Sequence, residues 1–349
     1  MAILQNKPVF IPIYRRLFED YRDAMLTHRL NPGDRIDSIN KIIELHQVSR
    51  ETAKTVLNML EREGLIIQRA GKGSFVADLA PPRRIWAVVL PYYSVQYEDL
   101  ISRLSQKAWA AGRQFHHFVD YNNYDEEIHL VGRLITERYE AVIVVPTLDE
   151  SKTSDFYARL PTQGSVVVLL DHTMTGSWFA YVIQSYDLGV QRAIDHLLGR
   201  CATGIAFVRN DIWAGRNLVQ EMMEETFKEV MAEKRPGREP LVVDHAGRVD
   251  AAFVRANDVG GIFCCDDSDA VRVIGSLKEQ GVRVPGDMSL VSYGNTHLAH
   301  YFTPSITSID PHNQEMAATV SNIVMAKLQG QSTAFSQYVV QPELVERET

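Results

Sequence analysis

"HQVSRETAKTVLNMLEREGL", residues 46–65, decides how the first part of the chain reads. Ala53, Val56, Leu57 and Leu60 recur at helical spacing and form one apolar face. Ser49 stands in front as an N-cap, and Gly64 stops the helix behind. Arg50, Glu51, Thr52 and Lys54 crowd the other side of the first turn. Upstream, a helix is predicted from Tyr14 to His28, with Leu17, Tyr21 and Met25 on one stripe. "LNPGDR" breaks it, and a second helix follows over Ser38–His46, carrying Ile39, Ile42, Ile43 and Leu45. "QVS" leaves only a three-residue turn before the opening helix. Downstream, "LIIQRAGKGSFVA" reads as two short strands joined by a glycine turn. Three helices and a hairpin in this order describe a winged helix-turn-helix.

In that motif the second helix of the pair lies in the major groove, and its N-terminal residues reach base edges. Arg50 can donate two hydrogen bonds to guanine O6 and N7, a pairing worth about 1–3 kcal/mol of discrimination. Lys54 suits a phosphate or a second guanine, and Thr52 a thymine methyl or a phosphate. Glu51 either accepts from a cytosine amino group or points away, the second reading weighing more. Lys72, between two glycines, lets the hairpin tip approach the duplex closely. Each residue alone is an ordinary exposed helix or turn residue; the order helix, turn, helix, wing makes the set specific. Charge agrees: residues 1–76 hold 12 Lys+Arg against 9 Asp+Glu, while the remainder holds 24 against 35 in a chain of net charge −8.

This stretch, with "LNPGDRIDSINKIIELHQVS" before it, resembles the DNA-binding domain of the gluconate-repressor (GntR) family over residues 10–77. The resemblance implies DNA contact by Arg50, Thr52, Lys54 and the Gly71-Lys72-Gly73 wing. It adds the start of the preceding helix, Ser38 and Lys41. There the family carries an acidic–Arg pair and this chain has "SINK", which implies an altered operator preference.

"DLAPPRR", residues 78–84, reads as a stiff linker. Beyond it, apolar strands alternate with helical patterns: 85–90, 114–119, 141–145, 165–170, 204–208, 240–244, 260–264 and 288–292. Continuous apolar strands separated by helices predict parallel sheets covered on both faces. Their number fits two doubly wound lobes. The expected fold class is α/β, a winged helix-turn-helix (1–77) before a two-lobed body (85–349). Lobe 1 takes about 85–183 and 312–330, and lobe 2 about 184–311 and 331–349. In such sheets ligands bind beyond the carboxyl ends of the strands. Those ends carry Asp, Asn, His and Arg with Tyr and Trp among them, groups that hydrogen-bond sugar hydroxyls and cover C–H faces.

The body resembles the sensor domain of the lactose-repressor (LacI) family, itself similar to periplasmic sugar-binding proteins. "GIFCCDDSDAVRVIGSLKEQGVRVPGDMSLVSYGN" and "TPSITSID" are its most specific blocks. By position, the resemblance implies effector contacts at Tyr92, Tyr97, Tyr121, Asp171, Arg216, His245, Asp266 and Asn295. Trp213, one turn before Arg216, joins them on its placement alone. Gly294 stands where the family has Asp, Asp266 replaces a common Asn, and "LGRCATG" lacks the usual Gly-His, so the family's ligand does not transfer. The two halves together have the layout of arabinose-repressor-like regulators.

Three cysteines give no disulfide framework, and no stretch is long enough to span a bilayer, so a cytoplasmic protein is expected. "AGKG" sits in a hairpin and fails the context test of a dinucleotide site, and no P-loop, G-x-S-x-G or H-E-x-x-H occurs. "DDSD" lacks the glycine and distant glutamate of a calcium loop. No catalytic residue, metal or cofactor is expected. The partners are a palindromic double-stranded DNA operator, a sugar-like effector closing the lobes at crossovers near 183–186 and 303–311, and a second copy of the chain. The rival readings are a body that only dimerises, and an enzyme acting on a sugar or nucleotide.

Overall fold

The computed structural model describes residues 12–26, 29–78, 82–148, 150–172, 179–210, 217–331 and 336–349. The head consists of α1 (Ile13–Leu26), α2 (Ile39–His46), α3 (Arg50–Arg62) and the antiparallel pair β1 (Ile66–Arg69) and β2 (Gly73–Val76). The first helix therefore ends near its predicted limit, with 27–28 outside the described residues. Ser38 and Ser49 cap α2 and α3, accepting from the backbone N–H groups of Lys41 and Thr52. Gln47 holds a left-handed conformation (φ 51°) in the turn between them. Phe18 of α1, Ile42 of α2 and Ala53, Val56, Leu57 and Leu60 of α3 close the core. Each large apolar side chain so buried contributes roughly 1.5–3 kcal/mol.

In the body, the chain first lays down β3 (Arg83–Leu90), α4 (Val95–Ala110), β4 (Gln114–Val119), α5 (Tyr124–Thr136), β5 (Tyr139–Val144), α6 (Glu150–Arg159), β6 (Val166–Asp171) and β7 (Ala180–Gln184). It then crosses and forms α7 (Tyr186–Arg200), β8 (Gly204–Val208), α8 (Leu218–Lys234), β9 (Leu241–Val243), α9 (Ala251–Ala256), β10 (Val259–Cys264), α10 (Asp267–Glu279), β11 (Ser289–Tyr293), α11 (His297–Tyr301) and β12 (Thr307–Asp310). It returns as α12 (Asn313–Leu328) and β13 (Gln337–Val340), and crosses once more into β14 (Glu343–Val345). Two six-stranded sheets result, ordered β13-β7-β6-β5-β3-β4 and β14-β12-β11-β10-β8-β9. Every pairing is parallel except β12 with β14. Apolar residues on both faces of each sheet enter separate core clusters, as a doubly wound sheet requires.

One boundary departs from expectation. Residues 337–340 complete the first sheet beside β7, so only the segment from about 341 belongs to the second lobe. The lobes are joined by three strands of chain, at 184–186, 310–313 and 340–343. Among the described residues no helix is long and apolar enough to cross a membrane. No cluster of three or more His, Cys, Asp or Glu among them could hold a metal ion.

Candidate functional sites: a reading face and an interlobe cleft

On the head, the Ser49 cap sets the direction of α3 and leaves its first turn in solvent. Arg50, Glu51 and Lys54 are exposed. Thr52 is half-buried, its hydroxyl 2.9 Å from Ser49 Oγ. At the start of α2, Lys41 Nζ lies 2.9 Å from Asp37, which also accepts from Tyr21 Oη at 2.8 Å. Gly71 (φ 70°) and Gly73 (φ 104°) turn the wing in the left-handed region that favours glycine, with exposed Lys72 between them. A Cβ on Gly73 would meet the Arg35 guanidinium at 3.0 Å. Arg69 covers Phe75 at 5.1 Å on the same hairpin. Sequence reading omitted Arg35 and Arg69. Their signal was a cation on each side of the wing, one in the "PGDR" break and one in β1.

On the body, a cavity of about 260 Å³ opens between the lobes at the carboxyl ends of their strands. Lobe 1 contributes Tyr92, Ser94, Gln96, Tyr97 and Asp171; lobe 2 contributes Asn210, Asn217, Gln220, Asp266 and Tyr293. Asp171 ends β6 with φ 70°, a strained conformation for a residue with a side chain. Its Oδ2 accepts from Tyr97 Oη at 2.9 Å, and its Oδ1 from Tyr186 Oη at 2.7 Å and Gln184 Nε2 at 2.5 Å. Gln184 Oε1 in turn accepts from Tyr293 Oη at 2.7 Å. A single buried chain of hydrogen bonds thus runs from lobe 1, through the first crossover, to lobe 2. Tyr186 and Tyr293 also stack at 5.5 Å. Burial raises the hydroxyl pKa of Tyr92, Tyr97, Tyr186 and Tyr293 far above the usual phenol range, so these groups stay protonated donors.

Across the cavity, Asp266 caps α10 by accepting from Asp269 N at 2.8 Å and also accepts from Asn210 Nδ2. Burial raises its pKa. Asn217 caps α8, and Gln220 Nε2 reaches back to the Asn210 carbonyl at 3.0 Å. Beneath, Asp267 accepts from Ser292, Ser308 and both the N–H and hydroxyl of Thr296, which ties β11, β12 and α10 together.

Of the effector residues implied by sequence, the cavity gathers Tyr92, Tyr97, Asp171 and Asp266. Tyr121 and His245 do not line it. Tyr121 is 72% exposed in the turn after β4, and His245 follows β9, and both strands are sheet edges. Asn295 is spent on Asp310 at 2.9 Å and on Arg347, outside the lining. Trp213 and Arg216 lie outside the described residues, in a segment flanked by the lining residues Asn210 and Asn217. Sequence reading did not single out Tyr186, at the first crossover, or Tyr293, at the carboxyl end of β11. Asn210, just beyond β8, was not singled out either.

An exposed reading helix on a winged head, joined to two lobes around a polar cavity, defines a DNA-binding transcriptional regulator with a sensor body. Residues 13–76 match the model of bacterial regulatory proteins of the gntR family, and residues 194–349 match a periplasmic binding protein-like domain; the chain joins the two. The arabinose metabolism transcriptional repressor of Halalkalibacterium halodurans is 21% identical over 338 residues, spanning 90% of this chain and 88% of that protein. The lac repressor dimer bound to operator and the anti-inducer ONPF superposes with a TM-score of 0.66 at 15% identity, over 76% of this chain and 94% of that one. A periplasmic binding protein/LacI transcriptional regulator from Alkaliphilus metalliredigens, complexed with D-xylulofuranose, gives 0.64 at 16% identity, over 76% and 98%.

Proposed function

We propose that the protein is a transcriptional repressor that pairs two-fold, reads a palindromic operator with α3 and the wing, and releases it when a monosaccharide fills the interlobe cleft. The observation that carries this reading is the composition of the cavity: hydroxyls, amides and carboxylates from both lobes beside tyrosine faces. Paired polar groups answer the adjacent hydroxyls of a sugar, and aromatic faces cover its C–H patches. The volume of about 260 Å³ falls below the roughly 300–1,000 Å³ of pockets for drug-sized ligands, which suits a single sugar ring. The likeness to an arabinose metabolism repressor and to a regulator complexed with D-xylulofuranose supports the same class of ligand. A closed two-fold dimer presents two heads to two half-sites. Arg50, Lys54, Lys72 and Gly73 make the duplex contacts, with Ser38 and Lys41 at the α2 start. Tyr92, Tyr97, Asp171 and Asp266 hold the sugar.

Calorimetric titration of the full chain with a panel of pentoses, hexoses and their acids tests the cleft, followed by duplex binding with and without the sugar that binds. Heat with one or a few neutral monosaccharides and a weakened duplex complex is the expected result. No heat across the panel returns the body to a dimerisation role, and turnover makes it an enzyme.

A further inference from the structure

α1 carries two kinds of buried residue. Leu17, Phe18, Tyr21 and Met25 serve the head's own core, but Glu19, Arg22 and Asp23 are also covered, at 6%, 4% and 5% exposure. Charged side chains are almost never covered to that degree without partners. Arg22 lies 3.3 Å from Glu19 within α1, and Lys327, buried near the end of α12 in lobe 1, is close enough to feel the charges of Arg22, Glu19, Asp23 and Arg15. Burial holds the Lys327 ammonium down to about 8, with Arg22 adding to the drop and Glu19 and Asp23 opposing it.

A second contact lies at the end of the reading helix. Glu63, the C-cap of α3, accepts through Oε2 from Thr162 N, from Thr162 Oγ1 at 3.1 Å and from Gln163 N at 3.1 Å. Arg62 donates to the Arg159 carbonyl at 2.7 Å. Residues 159–163 lead into β6 and Lys327 precedes β13, so both contacts fall at the amino-terminal ends of the lobe 1 strands, opposite the cleft. Arg50, Lys54 and Lys72 stay exposed in this arrangement.

We infer that the head is docked on lobe 1 as one rigid unit, clamped by Glu63 on the 162–163 loop and by Lys327 in the α1 charge cluster, with its reading face held outward. The inference rests on the DNA-reading role given to the head above. Any reorientation of lobe 1 within a dimer carries its reader along, and the docked surface fixes the spacing at which two readers meet a duplex.

The test is a distance measurement on the full chain. Nitroxide labels go on Gln68→Cys in the wing and Gln114→Cys in lobe 1, in a Cys201→Ser background diluted with unlabelled chain. The intact interface gives one narrow distance distribution. Lys327→Met deletes the buried ammonium that faces Glu19 and Asp23 and broadens it. Glu63→Ala, which leaves the lobe 1 core untouched, broadens it independently should Lys327→Met fail to fold. Binding to a duplex selected by the full chain from a random pool weakens about tenfold when the head is undocked, because the spacing is no longer preset. A wild-type distribution as broad as the variants' overturns the docking even if duplex binding is intact. A narrow distribution in a chain that selects no duplex overturns the presentation role and the DNA reading, and not the contact.

Discussion

Arg50 is exposed one residue beyond the Ser49 cap, so its guanidinium is free to enter the groove. Arg50→Ala should weaken binding to a selected duplex by about 1–3 kcal/mol and relax preference at one guanine, read by fluorescence anisotropy on wild-type and single-base-changed duplexes. A loss equal on all sequences would instead make Arg50 a phosphate contact. A different residue-scale effect sits within lobe 1. Asp120 is fully buried, accepting from Asn122 N at 2.8 Å, and Glu127 accepts from Tyr157 Oη and Thr147 N, each at 2.5 Å. Burial first, then the Glu127 charge, raises Asp120 to about 8, and burial raises Glu127 to about 7. Both bind their protons more tightly folded than unfolded. Their contribution is therefore complete below the ordinary carboxylate range and lost as pH rises through 7 to 8. Asp120→Asn keeps an acceptor for Asn122 and removes the titration. Its melting temperature should match wild type near pH 3 and exceed it by a growing margin as pH rises to 9, measured by scanning calorimetry.

At the scale of elements, the cap is the cheapest place to test how the reading helix is held. Ser49→Ala removes the acceptor for Thr52 N and should cost α3 about 1 kcal/mol, seen as roughly fivefold faster hydrogen exchange in peptides spanning it. The head was legible in the sequence almost residue by residue, because its caps, glycines and helical period are local signals. The body was legible where strands are central and apolar on both faces, as in "IWAVVL" and "SVVVLL". Strands β7, β12, β13 and β14 were not. "TSID" is too short and polar to read as a strand, and its buried Thr307 and Ser308 are satisfied by Thr349 and Asp267 from distant parts of the chain. Tyr121 and His245 show the same limit in the site: a polar residue after a strand reaches the cleft only if that strand is central, and sheet order is not written locally.

For the whole molecule, the bond from Tyr293 to Gln184 joins lobe 2 to the crossover that positions Asp171. Tyr293→Phe keeps the ring against Tyr186 and deletes that bond. It should raise the half-saturating concentration of the binding monosaccharide roughly twofold to tenfold, while duplex affinity without sugar stays unchanged. An unaltered midpoint would remove the crossover from the sensing route. Duplex affinity should also fall steeply with salt, in proportion to the number of phosphates met by Arg50, Lys54, Lys72 and their neighbours.

The placement of β13 beside β7 has a consequence for biosynthesis. Lobe 1 obtains its sixth strand, and the Val320, Ile323 and Val324 packing of α12, only after the polypeptide of lobe 2 has been made. On the ribosome, the segment up to β7 must wait with an open apolar flank while lobe 2, complete but for its last short strand, is free to close first. Nascent chains carrying residues 1–311 on a spacer long enough to clear the exit tunnel should therefore hold a protease-resistant second lobe and a susceptible first one.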